Sequence, residues 1–361
     1  MRNNHVFYLI KHPLGGPSLV VIVFVALAAL TAYTWIPDAT PQANQMNLAL
    51  ANKAPGMKVN TLRLPREERE AAKGPAWLMG ASRGYREVAV SAVKQEGDTL
   101  LYRRYPREKG AWQVMPRDSL LLKAEGGAVW NRTFWLGTDR FGRDLLSRLV
   151  LGARVSLAVG LVAVFISLLI GIPLGAMAAY YGGWIDKLIL WLINVVWSIP
   201  GLLLVIALTL ALGKGFWQVF VAIGFTMWVE VARVIRGQVL SIREKEYVQA
   251  ARVLGFGDMR ILGRHILPNA VAPLIVISAA NFAAAILVES GLSFLGIGAQ
   301  PPTPSWGGMI KDHYAYIIMD KAYLALIPGL AIMLLVLAFM TLGNALRDVL
   351  DVRSGKEAAG A

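Results

Sequence analysis

The sequence predicts an all-α polytopic membrane protein of six transmembrane helices, with a small β-rich extracytoplasmic insertion after the first helix. Three observations predict it. Of the 361 residues, 56% are hydrophobic and only 16% charged, a composition outside that of soluble domains. The charges leave long apolar runs between them, and about 20 apolar residues are enough for a helix to cross roughly 30 Å of hydrocarbon. One stretch, from Pro37 to about Trp130, breaks this pattern with polar composition and strand-like alternation. The chain has no cysteine, which excludes disulfides, thiolate metal sites and cysteine nucleophiles. Its four histidines, His5, His12, His265 and His313, are too scattered to suggest a metal site. The net charge of +13 follows membrane topology, so no nucleic-acid partner is expected.

Residues 1–16 read as a cytoplasmic N-terminus and 17–36 as the first transmembrane helix, inside the charge-free run from Lys11 to Asp38. Ala29 and Ala32 offer the small-residue pattern of a cleaved signal peptide as an alternative. The apolar run from about Ser18 to Ile36 is longer than a signal core and favours a retained anchor. Residues 37–130 form the extracytoplasmic insertion. In it, "PREEREAAK" from Pro65 reads as a short exposed helix, "REVAVSAVKQEGDTLLYRRYP" as two strands around a Glu96-Gly97-Asp98 turn, and "SLLLK" from Ser119 as another strand. Between Pro37 and Arg154, 20 basic and 12 acidic residues leave +8, read either as a docking surface for an acidic partner or as a solvated face.

Residues 131–154 read as an amphipathic lead-in segment, and 155–346 as a five-helix core. Three of its helices occupy the runs from Arg154 to Asp186, Lys187 to Lys214 and Lys321 to Arg347. Another spans about Asn269 to Leu295 and contains Glu289; the run from Gly215 to Val229 is short and must borrow the turn with Glu230. Residues 347–361 are a cytoplasmic tail. With both termini inside, the cytoplasmic pieces carry 13 basic residues against three, Lys214, Lys311 and Lys321, in the short outer loops, as the positive-inside rule requires. Pro173 and Pro200 lie inside spans, either as moving kinks or as static packing. Glu230 and Arg233, three apart, are expected to pair at the inner boundary. "QPPTPSWGG", Gln300 to Gly308, is too rich in Pro and Gly for a helix and reads as an outer loop.

The one cytoplasmic loop large enough to hold structure contains "EYVQAARVLGFGDMRILGRHILPN", Glu246 to Asn269. Gly255-Phe256-Gly257 divides it into two short helices, Asp258 is placed to cap the second, and Pro268 with Asn269 stops it and begins the fifth span. Val248, Ala251 and Leu254 share one face of the first helix; Met259, Leu262 and Ile266 share one on the second. Such a hairpin, at 241–268, suits insertion into a partner's groove, or is a surface hairpin packed on its own loop. The spans contain Ser167, Ser198, Ser278 and Ser290 but no histidine or lysine base and no aspartate pair, which disfavours an intramembrane peptidase. No inverted repeat of hydrophobic segments supports an ATP-independent secondary transporter or channel. A scaffold would leave the hairpin without a purpose.

"QAARVLG" followed by "HILPN" resembles the coupling motif of ABC importer permeases, carried here by Gln249, Ala250, Ala251, Gly255, His265, Leu267 and Pro268. Gln249 stands where the family has an acid and His265 where it has isoleucine. The wording "RHILPN" is similar to that of the dipeptide and oligopeptide permeases. So are "GTDRFGRDLLSRLVLGARVSL", Gly137 to Leu157, and "ESGLSFLGIGAQPPTPSWGGMI", Glu289 to Ile310. The resemblance, to a second-permease (C-type) member, runs from about Gly137 to Asp351 and leaves the insertion uncovered. A further departure is Trp191 and Asn194, where the family commonly has Arg and Asp.

The resemblance implies a permease subunit, not an enzyme, of a bacterial inner membrane importer, with peptides as the commonest cargo. It implies as partners a second homologous permease, two ABC ATPase subunits, an extracytoplasmic solute-binding protein and the lipid bilayer. This chain would hold no cofactor, ATP and Mg being bound by the ATPases. The ATPase-coupling residues implied are Tyr247, Gln249, Ala250, Ala251, Gly255, Arg260, Arg264 and Pro268. Glu289, Ser290 and Pro200 are candidates for the substrate path or the subunit interface, although Glu289 near the outer end of a tilted helix also reaches headgroups.

Overall fold

The computed structural model describes residues 4–65, 75–81, 85–97, 99–106, 111–116, 129–213 and 215–358. Helices α1 (Asn4–Lys11), α2 (Gly15–Leu30) and α3 (Ala32–Trp35) lead into a five-stranded sheet: β1 (Met57–Pro65), β2 (Tyr85–Glu96), β3 (Thr99–Arg104), β4 (Gln113–Pro116) and β5 (Val129–Phe134), with the one-turn α4 (Ala76–Met79) between β1 and β2. Then come α5 (Leu145–Tyr181), α6 (Gly183–Ser198), α7 (Gly201–Leu212), α8 (Phe216–Ile242), α9 (Glu246–Val253), α10 (Asp258–Ile261), α11 (Val271–Leu295), α12 (Trp306–His313) and α13 (Tyr323–Ala358).

Among the described residues, four helical stretches are long and apolar enough to cross a membrane: α5, α8, the continuous run Asp258–Leu295, and Tyr323–Leu350. A fifth is available if α6 and α7 count as one span, but they meet at a bend of 92°. The expected third span breaks at Pro200, which has no N–H to extend the ladder of α6 and instead precedes the first turn of α7. Pro173, by contrast, sits inside an unbroken α5. The expected first span consists of the 16-residue α2 and, after Thr31, the one-turn α3.

The chain divides into two compact units. One comprises Met1–Ala26, Ser156–Gln300 and Leu330–Ala361; the other Leu27–Val155 and Pro301–Gly329. In the second, the sheet is antiparallel with order β4-β3-β2-β1-β5. β2 and β3 form the hairpin at Gly97, and period-two alternation puts Leu62, Leu64, Val90, Leu100 and Tyr102 in one buried cluster and Val59, Ala89 and Phe134 in another with Leu50. The helix read in "PREEREAAK" and the strand read from Ser119 lie outside the described residues, apart from Pro65, which ends β1. The segment read as an amphipathic lead-in is instead the end of β5, a loop and the first turns of α5.

That loop, which opens the Gly137 to Leu157 stretch, is a knot of buried polar groups. Asp139 accepts from Arg143 Nε at 2.6 Å and from the Phe141 and Arg143 amides at 2.8 Å. Gly142 has φ +71°, and a Cβ there would lie 1.8 Å from the Asn47 carbonyl oxygen, so no other residue fits. The Asp144 carboxylate accepts the Ser147 amide at 2.8 Å, satisfying an N-terminal donor of α5. Burial nonetheless pushes the Asp144 carboxyl above the ordinary value. "QPPTPSWGG" is a loop only as far as Pro304. Ser305 caps α12 by accepting from Gly308 N at 3.1 Å, and Trp306 is buried with its indole donating to Leu149 O at 2.8 Å. His313 closes α12: its Nδ1–H donates to Met309 O at 2.7 Å and its Nε2 accepts from the Arg140 amide at 3.3 Å.

Candidate coupling hairpin

In the first unit, α9 and α10 project from the ends of α8 and α11 as a two-helix hairpin. Its joint is a backbone motif. Gly255 adopts φ +75°; its N–H bonds Arg252 O at 2.9 Å, and Phe256 N bonds Ala251 O at 3.1 Å. That paired 5→2 and 6→1 pattern ends a helix through a left-handed residue, which glycine occupies without a Cβ penalty. The second arm differs from the expectation. Asp258 does not cap it; its carboxylate accepts from Tyr180 OH at 2.7 Å. Nor does Pro268 stop it. The ladder widens to π geometry over Leu262–Ile266, tightens to 3-10 over Leu267–Ala270, and runs on into α11. Slipping the ladder absorbs the donor missing from Pro268, and Asn269 Nδ2 adds a bond to His265 O at 2.7 Å.

One side of the hairpin is clamped to the body of the unit. Val248, Ala251, Ile261, Leu262 and Ile266 are buried against Ala176, Ala179 and Tyr180 of α5 and Ile235, Val239 and Ile242 of α8. Arg243 adds a bond to Ala179 O, and Phe256 stacks on His265 at 6.0 Å under Arg260. The other side is open and apolar: Val253 is 87%, Met259 77%, Leu254 72% and Tyr247 46% exposed. Sequence spacing alone grouped Leu254 with Val248 and Ala251, and Met259 with Leu262 and Ile266; the structure separates them, because α9 ends at Val253 and Met259, the second residue of α10, turns outward. Of the expected coupling residues, Tyr247, Gln249, Ala250, Gly255, Arg260, Arg264 and Pro268 are exposed, whereas Ala251 faces inward.

The family profile described as "Binding-protein-dependent transport system inner membrane component" matches residues 171–356, a span that holds the whole hairpin. The chain belongs to this family of inner membrane permeases. Such a permease is a transport subunit of an ABC importer and not an enzyme. Among its relatives, the glutathione transport system permease protein GsiD of Pectobacterium atrosepticum is 42% identical over 60% of this chain and 72% of its own length. The dipeptide transport system permease protein DppC of Alkalihalophilus pseudofirmus is 44% identical over 60% and 71%. Among solved structures, a chain of the MetNI methionine ABC transporter in inward-facing conformations matches with a TM-score of 0.47 at 21% identity, over 57% of this chain and 97% of that one.

The remaining expected site residues lie elsewhere in the permease. Glu289 and Ser290 are buried in α11, and Glu289 accepts from Ser293 Oγ at 2.6 Å, which in turn accepts the Ala299 amide at 3.1 Å. Through Ser293, Glu289 ties down the turn that leaves α11. Pro200 is exposed at the α6–α7 bend. The expected Glu230–Arg233 pair does not form. Arg233 bonds Asn194 Oδ1 at 3.0 Å and lies over the Trp197 ring at 3.5 Å, so Asn194, one of the positions that depart from the family pattern, holds this arginine. Arg236 makes a two-pronged pair with Asp186, both bonds at 2.7 Å. Periodicity could not have found either partner, since both come from α6.

Proposed function

We propose that this permease forms half of the translocation pathway of an ATP-driven importer for peptides, and that its hairpin at 241–268 docks on a cytoplasmic ATPase. The observation that carries the reading is the two-sidedness of the hairpin: one face fused to α5 and α8, the other an open apolar patch. Burying Val, Leu and Met side chains contributes about 1.5–3 kcal/mol each, so Val253, Leu254 and Met259 together form a serious anchor for a groove. A push on that anchor passes directly into α5 and α8, because the inner face has no slack of its own. Tyr247, Gln249, Ala250, Arg260 and Arg264 surround the patch; Ala251, Gly255 and Pro268 shape the lever that carries it.

In this arrangement α2 with α3 is a first crossing at 17–36, the broken α6–α7 pair another, and both termini are cytoplasmic. The sheet-bearing insertion at 37–130 then lies outside, where a solute-binding protein arrives. A second homologous permease supplies the other wall and two ABC ATPases hold ATP and Mg. The relatives' names, glutathione and dipeptide permeases, support a peptide-like cargo. Met259→Glu places a charge at the centre of the patch without touching the clamped face. In proteoliposomes holding the complete importer, it is expected to cut ATP-dependent uptake at least about tenfold, with normal membrane insertion. Undiminished uptake would rule out docking through this patch.

A further inference from the structure

Glu230 sits halfway along α8, a membrane-spanning helix, and its side chain is exposed. Among the described residues it makes no ion pair and no side-chain hydrogen bond, and the two nearest cations on its helix are committed elsewhere, Arg233 to Asn194 and Trp197 and Arg236 to Asp186. A carboxylate at that depth is costly in lipid and persists where it meets water or a cation. The helix period decides which. Val234 and Gln238 follow Glu230 at four and eight residues and share its face. Both line a groove of about 530 Å³ between α8, α11 and α13, whose other polar lining is Asn269 and Arg347. Glu230, one turn before Val234, lies just beyond the lining of this groove, on the helix face that continues it. Gly237 and Ser241, on the same face, are also exposed.

The geometry points to Glu230 as a cation-binding residue of the permeation path, facing water and holding the ammonium end of the cargo as it passes. This rests on the importer reading above and deepens it: a peptide presents one free α-amino group, charged at neutral pH, and an unpaired carboxylate at the edge of a groove attracts it more than one in bulk water does.

The natural absence of cysteine makes the test clean. Val234→Cys, one turn from Glu230, is introduced into the full chain, and the assembled importer is treated with a cationic trimethylammonium methanethiosulfonate or its anionic sulfonate analogue. Normalised to a free thiol, the cationic reagent should react about tenfold faster, and adding Glu230→Gln should abolish that preference. Equal normalised rates with Glu230 present, or no reaction with either reagent, overturn the proposal, as does zero-length carbodiimide cross-linking of Glu230 to the second permease. A transport arm compares trialanine with N-acetyl-trialanine: Glu230→Gln should lower uptake of the first about tenfold and spare the second, with Glu230→Asp retaining most uptake. Equal loss for both peptides counts against cation binding. If the wild-type importer moves neither peptide, the peptide assignment fails, and the reagent rates alone decide the role of Glu230.

Discussion

Two adjacent alanines show how far a single residue's burial sets its role. Ala250 is exposed and Ala251 is buried against α5 and α8, although a motif read along the chain treats them as a pair. A glutamate at Ala250 alters only the exposed face. One at Ala251 forces an unpaired carboxylate into an apolar cluster, which costs several kcal/mol. Ala251→Glu should therefore lower the thermal unfolding midpoint of the purified permease, whereas Ala250→Glu should leave that midpoint unchanged and weaken ATPase co-purification. Gly255 is a separate case. No atom lies within 4 Å of the position a Cβ would take, so the demand is purely conformational, φ +75°. Gly255→Ala is expected to cost about 1 kcal/mol, and Gly255→Asn less, since asparagine tolerates the left-handed region; a denaturant midpoint series checks the order.

The elements divide by what fixes them. Long apolar helices were legible in the sequence because hydrophobic length is a local property: α5, α8, α11 and α13 fall where the charge-free runs place them. The β2–β3 hairpin was legible for the same reason, alternation on either side of a glycine turn. What the sequence hid are elements set by long-range partners. Helix α12 starts inside a Pro- and Gly-rich stretch because Ser305 caps it and Trp306 finds the Leu149 carbonyl. Pro268 fails to stop a helix because the ladder slips by one residue upstream of it. α12 also carries a pH dependence. Burial holds His313 below its ordinary pKa of 6.5, outweighing the Met309 bond and the Asp139 and Asp312 charges that oppose the shift. The unfolded chain therefore binds the proton first, so stability is full above about pH 6.5 and falls as pH drops through and below it. Hydrogen-exchange protection of the α12 amides should decline from pH 7 to pH 5, and His313→Gln should flatten the decline.

At the scale of the whole molecule, the candidate site was legible as a motif but not as a surface. Gly255 and the spacing to Leu267-Pro268 located the hairpin; only packing shows that its apolar residues divide between two faces, Val248, Ala251, Leu262 and Ile266 gripping the body and Val253, Leu254 and Met259 left open. A lever needs both, a rigid root and a free grip. The direct measurement is proximity in the assembled importer. Met259→Cys, in a chain without other cysteines, is treated with a short bifunctional thiol reagent in inside-out vesicles containing the ATPase subunits. The account predicts a permease–ATPase adduct whose yield changes with bound ATP. Modification of Met259→Cys by an impermeant reagent from the opposite face, with no ATPase adduct, would contradict it.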